Sequence, residues 1–363
     1  MKINYKNIIH LLTVVLLFAN FLICLVVYRF FKRKYNNDVC LYGHRLNGNL
    51  KAIYSKSKCS YLTINYNYYK SFNNNPQILY GLYISHMIRF LNSKILIVSH
   101  GVFFINLIKK LTKIKIINVW HGLPNQLLDE KLFNKFDENW LFSDFQKELF
   151  INPQNLNQDK TFITGYGRLD NLQKMKNPVT PKKILIANTW SYGSKNERKE
   201  IFSINNIEFI EFLENTKFKN DYTFIIKPHI NYKLTKGLLK YLNGCEKVVI
   251  SSEDDAEFLI NDSDILLTDW SSIFFDFIYT NKKAFLFQKN YYFKAQVNPV
   301  FHQESNNRIR SYSDLKSVLD SPLKNKFLLD YKNIQSQVFD NNLVGNSTKN
   351  YIERIDYLLD NKI

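Results

Sequence analysis

The stretch Asp264-Ile-Leu-Leu-Thr-Asp-Trp-Ser-Ser-Ile-Phe-Phe-Asp-Phe277 changes hydrophobic period partway along, and the rest of the chain can be arranged around it. Ile265 to Leu267 is a continuous apolar run, the pattern of a parallel strand buried on both faces. Thr268, Asp269, Ser271 and Ser272 make a polar turn, and from Ile273 the apolar positions fall at helical spacing. The hydroxyls of Ser271 and Ser272 are placed to cap the first turn of that helix. A strand that passes through a hydroxyl-rich turn into a helix aims free backbone N–H groups and the positive end of a helix dipole at one point, as a phosphate site does. The same residues also describe an ordinary capped helix after a core strand.

The rest of the chain repeats this strand-then-helix order. The pattern predicts strands at 39–42, 61–65, 95–98, 114–119, 140–143 and 161–164, with helices at 49–57 (Asn49 as a cap), 79–91 and 103–111. After a proline-bearing linker at 174–183, strands are expected at 184–187, 222–226, 247–250, 265–267 and 284–287. Helices are expected at 204–216, 254–260, 314–319 and 351–359. The alternation implies an α/β protein of two Rossmann-like, doubly wound domains facing a cleft, over residues 35–175 and 176–363, the second including the C-terminal helix. The polar signatures gather at strand ends, where such sheets bind ligands: His100, His121, Arg168, Lys227, His229 and the 268–272 turn.

Residues 8–28 form an apolar segment long enough to span a bilayer, with Lys2 and Lys6 before it and Arg29, Lys32, Arg33 and Lys34 after it. Small residues of a signal-cleavage site do not follow. The larger basic cluster behind the segment places the body in the cytoplasm, so residues 1–34 read as a single N-terminal transmembrane anchor of a bacterial cytoplasmic membrane. A helix lying in the membrane interface fits the same residues. As a detached anchor, residues 1–34 would be dispensable for chemistry on a soluble acceptor. The formal net charge of +17 attracts phosphorylated substrates and anionic surfaces. The cations are spread along the chain, and no zinc-finger, RNP or basic-zipper pattern occurs, which argues against nucleic acid as a partner. The four cysteines show no paired spacing, so neither a disulfide framework nor a metal knuckle is expected.

His121 sits at a strand end between Trp120 and Gly122, with Pro124 beyond. A neutral imidazole there can accept a proton from an attacking hydroxyl; a histidine simply hydrogen-bonded at a strand end fits equally. Lys227 and His229 are two residues apart after a strand, so in extended chain both face one way and could meet one diphosphate. A solvated lysine beside an incidental histidine is the alternative. Arg168 follows Gly165 and Gly167, free to fork onto phosphate or to pair with Asp170. His10, His44, His86 and His302 have no partner pattern.

Read together, Trp120-His-Gly-x-Pro124, Thr164-Gly-Tyr-x-Arg-x-Asp170, Lys227-Pro-His229 and Asp264-x-Leu-x-Thr-Asp-x-Ser-Ser-x-x-x-Asp-Phe277 resemble the CDP-glycerol glycerophosphotransferase family of teichoic acid synthesis. The resemblance implies a GT-B architecture and an enzyme that uses no cofactor or metal. It implies transfer of glycerol phosphate or ribitol phosphate from a CDP-activated donor to a hydroxyl of a glycan or lipid-linked acceptor in teichoic acid, capsule or lipooligosaccharide assembly, with release of CMP. By the resemblance His121 is the general base and His229, with Lys227, steadies the donor diphosphate. Gly122, Arg168, Thr268, Asp269, Ser271 and Ser272 complete the substrate site. The chain departs from the family pattern at Gln126, Gly167, Asn188 and Ser191. These departures leave open a GT-B glycosyltransferase with a nucleotide-sugar donor; a non-catalytic membrane-anchored binding subunit is a third reading.

Overall fold

Apolar runs without alternation need cover on both faces, and the sheets are built accordingly. The computed structural model describes residues 8–30, 38–43, 45–99, 104–123, 133–154, 156–174, 181–189, 200–229, 234–253, 256–288, 300, 307–324, 326–340, 343 and 345–361. His44, His100, Pro124, Gln126, Ser191 and His302 lie outside the described residues. The chain divides into two units, Met1–His121 with Asp129–Asp170 and Asp340–Ile363, and Gly122–Leu128 with Asn171–Phe339.

The first unit holds a seven-stranded sheet in the order β3-β2-β1-β4-β5-β6-β7. Its strands are β1 (Val39–Tyr42), β2 (Ser60–Thr63), β3 (Ile78–Tyr80), β4 (Ile95–Val98), β5 (Lys115–Asn118), β6 (Glu138–Leu141) and β7 (Thr161–Ile163). All neighbouring pairs are parallel. The second unit holds six parallel strands in the order β10-β9-β8-β11-β12-β13. These are β8 (Lys183–Ile186), β9 (Thr223–Ile226), β10 (Val248–Ile250), β11 (Ile265–Thr268), β12 (Lys283–Phe287) and β13 (Arg308–Ile309). In each sheet the order reverses beside the first strand, between β1 and β4 and between β8 and β11. Those reversal points are where a doubly wound sheet opens a crevice at its carboxyl edge.

Three sequence expectations change. Residues 79–91 divide into β3 and a helix, α4 (Ile84–Leu91), with Gly81 between them. The Ile78–Tyr80 run pairs with Tyr61–Thr63 as the edge strand, and pairing outweighs local helical periodicity. The described part of residues 1–34 does not stand apart: α1 (Ile8–Phe30) belongs to the first unit. Its Val14, Leu17, Phe21, Cys24 and Leu25 pack in one core with Leu62, Met87, Phe90 and Leu96. The same helix is long and apolar enough to cross a membrane by length and composition. Finally, the C-terminal helix α13 (Ser347–Asp360) joins the first unit rather than the second.

The reason for the last change is local chemistry. Tyr351 stacks on Trp140 at 5.5 Å and 19°, and Ile355 and Leu358 enter the core formed with β1, β4 and α2 (Gly48–Lys56). Arg354 forks onto Glu138, Nη2 to Oε1 at 2.6 Å and Nε to Oε2 at 3.1 Å. The guanidinium lies 3.7 Å over the Phe162 ring, and Trp140 Nε1 donates to the same carboxylate at 2.8 Å. Arg354→Ala leaves the Glu138 carboxylate buried without its cation, so stability should fall by on the order of 3 kcal/mol. Chemical denaturation measures this, and a change below about 0.5 kcal/mol, the scale of an exposed pair, contradicts the assignment.

Candidate active site

In the first unit β5 ends in a corner whose backbone is strained. Trp120 has φ +41°, a left-handed conformation that a bulky side chain rarely adopts. Buried polar groups hold it there. Asn118 Oδ1 accepts from Trp120 N at 3.1 Å, while Asn118 Nδ2 donates to Asn139 Oδ1 at 3.0 Å on the next strand. The Trp120 ring packs 5.0 Å from Phe133. The corner turns the exposed His121 side chain toward the end of β4, where Nδ1 lies 3.3 Å from the carbonyl oxygen of Ser99. A carbonyl only accepts, so this contact places the ring proton on Nδ1, and in the neutral ring the lone pair is then on Nε2. The arrangement presents a base. Gly122, directly after it, is buried.

Arg168 is brought to the same corner, but in this state it points at protein. Its Nη1 donates to the carbonyl of His121, and its guanidinium lies 5.1 Å from the Tyr166 ring centroid. Asp170 accepts from Ser347 N and from Thr348 N at 2.6 Å, capping the start of α13. Gly165 has φ +83°. At Gly167 a Cβ would stand 2.8 Å from Ala52 Cβ and 2.9 Å from the Tyr351 ring. Close packing against Ala52 of α2 and Tyr351 of α13 therefore leaves no room for a side chain at position 167.

The residue that sequence reasoning missed is Asn49. Expected as a helix cap, it lies inside α2 with 3% of its surface exposed. Its Nδ2 donates to Val119 O at 3.2 Å and to Trp120 O at 2.9 Å. Its Oδ1 accepts from Arg168 N at 3.2 Å. One carboxamide thus joins the His121 corner to the Arg168 loop, across segments that share no sequence pattern.

In the second unit the crevice between β8 and β11 is closed by the residues of the opening stretch. Thr268 and Asp269 are fully buried. Thr268 Oγ1 donates to Ala187 O at 2.5 Å. Asp269 accepts from Thr189 N at 2.9 and 3.0 Å and from Thr189 Oγ1 at 2.7 Å. Both side chains therefore shape the loop after β8 from beneath. Ser271 and Ser272 are half-buried at the start of α10 (Ile273–Tyr279), and Ser272 makes no side-chain capping bond, contrary to expectation. Backbone carbonyls close that turn instead, Phe274 N bonding Ser271 O and Phe275 N bonding Ser272 O.

Lys227 and His229 follow β9, and Lys227 Nζ donates to Glu253 O at 3.1 Å. His229 keeps exposed surface. Partial desolvation of its ring, and secondly the Lys227 ammonium, hold its pKa below the ordinary histidine value. The ring is therefore neutral at pH 7. Among the described residues no group of three His, Cys, Asp or Glu side chains is placed to hold a metal.

Two outcomes follow from this geometry. Asn49→Ala strands two carbonyls and an N–H and loosens the His121 corner, so turnover should fall at least about tenfold; an unchanged rate contradicts the tie. Since folding lowers the His229 pKa, the stability of its neutral form is intact above the unfolded value of about 6.5 and is lost as pH falls from there through the lower folded value. In an NMR titration Lys227→Gln should move the His229 midpoint upward, and an unmoved midpoint removes the charge contribution.

The comparisons with known proteins agree with these motifs. The profile of the CDP-Glycerol:Poly(glycerophosphate) glycerophosphotransferase family matches residues 26–298. The minor teichoic acid biosynthesis protein GgaB of Bacillus subtilis (strain 168) is 28% identical over 162 residues, 39% of this chain and 17% of that protein. The chain thus spans under a fifth of that relative's length. A structure of the wall teichoic acid polymerase TagF superposes with a TM-score of 0.60 at 14% identity, covering 96% of this chain and 98% of that one. The UDP-GlcNAc 2-epimerase from Neisseria meningitidis gives 0.54 at 12% identity, covering 88% and 99%. At such identities the likeness is one of fold, and it bears out the α/β, GT-B-like class. With the profile spanning most of its length, the chain belongs to the CDP-glycerol:poly(glycerophosphate) glycerophosphotransferase family.

Proposed function

We propose that this transferase moves glycerol phosphate or ribitol phosphate from a CDP-activated donor to a hydroxyl of a membrane-linked or surface glycan acceptor in teichoic acid synthesis, releasing CMP. Its body works on the cytoplasmic side of the bacterial membrane, where the apolar N-terminal helix and the basic residues behind it would hold it. The observation that carries the reading is the Nδ1 contact of His121 with the Ser99 carbonyl, within a chain of this family. That contact leaves Nε2 as the acceptor for a proton.

In the proposed reaction, Nε2 of His121 takes the proton of the acceptor hydroxyl as its oxygen attacks the polyol-bearing phosphorus. The bond from that phosphorus to the oxygen shared with CMP breaks, and CMP leaves with the bonding electrons. Lys227 offsets charge on the diphosphate, and His229 donates a hydrogen bond to it. Ser271 and Ser272 contribute hydroxyl donors at the carboxyl edge of the second sheet. Thr268 and Asp269 shape the loop beneath them, and Arg168 fixes the backbone of His121. Gly122 keeps side-chain bulk away from the base. Positioning and charge stabilisation supply most of the rate in such transfers.

His121→Ala and His229→Ala should each lower CMP release from CDP-glycerol or CDP-ribitol by at least about a hundredfold, the scale of an acid–base or charge-stabilising group. Near-normal release by either variant, followed by mass spectrometry, removes that histidine from the mechanism.

A further inference from the structure

The cations are spread along this chain, but the carboxylates are not. From Val39 to Leu128 the sequence carries eleven lysines and arginines and no aspartate or glutamate. That segment builds β1 to β5 and contains His121. A surface drawn from it attracts a polyanion and offers no carboxylate of its own to repel one.

On this background five aromatic rings meet at the ends of β2 and β3. Helix α3 (Tyr66–Lys70) starts soon after β2, and Asn65 Oδ1 caps it by accepting from Tyr68 N at 3.1 Å. Tyr66 and Tyr69, three positions apart on one helical face, both reach the ring of Tyr80, the last residue of β3, at 5.4 and 5.6 Å. Tyr83 meets Tyr80 edge-on at 5.1 Å and 87°. His86 packs on Tyr69 and Tyr83, and its Nδ1 accepts from Tyr80 N at 2.9 Å. Each ring is held by its neighbours, yet Tyr66 is 45% and Tyr83 40% exposed. Rings already fixed lose little freedom when a ligand lands on them. Asn65, Asn67, Lys70 and Ser85 are exposed around them, and Lys70 Nζ lies 5.5 Å over the Tyr66 ring.

A fixed aromatic surface with a polar, cationic margin suits a sugar. A pyranose has an apolar C–H face that packs on the negative face of a tyrosine ring, while its hydroxyls reach the polar groups at the rim. The position of the rings says which sugar. β1 to β5 are parallel, so their carboxyl ends share one edge. In the order β3-β2-β1-β4-β5, at roughly 4.8 Å per strand, the tyrosines stand about 15–20 Å from the His121 corner. Arg45 follows β1, which lies between them, and its guanidinium sits 4.9 Å over the Tyr68 ring. We propose that this edge is a track for the acceptor. A chain of sugar rings joined through phosphodiesters stacks a ring on Tyr66 and Tyr83, passes its phosphates along Lys70 and Arg45, and delivers its terminal hydroxyl to His121. The inference rests on the transferase reading above, and adds that the acceptor is a chain gripped several units from its reacting end.

The test is titration calorimetry of the full chain, without donor, using a soluble phosphodiester-linked oligosaccharide of several repeats and its single repeat. The oligomer should bind at least about tenfold more tightly than the single repeat, and less tightly as salt rises. Y66A/Y83A should remove that advantage, and Y66F/Y83F should keep it because phenylalanine retains the stacking face. K70Q, which alters only an exposed cation, should weaken the oligomer about two- to fivefold, the scale of one exposed ion pair. With CDP-glycerol present, Y66A/Y83A should raise KM for the oligomer about tenfold and leave kcat and the single-repeat KM unchanged. Equal affinity for oligomer and single repeat overturns the proposal, as does oligomer binding unchanged in Y66A/Y83A or in K70Q. Tyrosine-dependent binding to phosphatidylglycerol vesicles with none to the oligomer also overturns it. Because the titration needs no donor, absence of CMP release counts against the transfer reading alone, while the track stands or falls on binding.

Discussion

The candidate base depends on one buried carboxamide. Asn49 has no water to fall back on, so both ends of its side chain must be satisfied by protein. It meets that demand with the carbonyls of Val119 and Trp120 on one side and the N–H of Arg168 on the other. Arg168 in turn spends part of its guanidinium on the carbonyl of His121. The strained Trp120 turn is over-determined by these bonds and by Asn118, which is the condition under which a left-handed bulky residue persists. The outcome is a histidine whose backbone is fixed from two sides and whose tautomer is set by a strand-end carbonyl.

The second unit solves a parallel problem with a carboxylate. Asp269 is buried and takes three hydrogen bonds from Thr189, so the loop after β8 and the turn after β11 form one piece. Both constructions stand at carboxyl edges, the Asp269 one at its sheet's reversal point. The parallel sheet explains this economy. Its interior consumes apolar side chains on both faces, and polar chemistry is left to the strand ends.

The strands were legible because unbroken apolar runs have few other uses, and β1, β4 and β11 fall where those runs lie. Trp120–His121, Arg168, Lys227 and His229 were legible because glycine, proline and polar residues crowd strand ends. Asn49 was not, since its partners lie 70 and more residues away and nothing in an asparagine near a helix start announces such a reach. Leu79 and Tyr80 read as the start of a helix because periodicity cannot report an edge pairing. The helices α1 and α13 read as an anchor and as part of the second half. Amphipathic or apolar pattern says that a face is covered, not by what: α13 is claimed by Trp140 and Glu138, and α1 by Leu62 and Phe90.

The measurement that bears most directly on the central claim is 31P NMR of a single reaction of the full chain with CDP-glycerol or CDP-ribitol and a glycan acceptor. The account predicts loss of the donor diphosphate signals, a CMP monophosphate signal, and a new phosphodiester signal that stays with the acceptor. A phosphate-free product formed from a nucleotide sugar, with a nucleoside diphosphate released, would contradict it and move the chain's chemistry to glycosyl transfer.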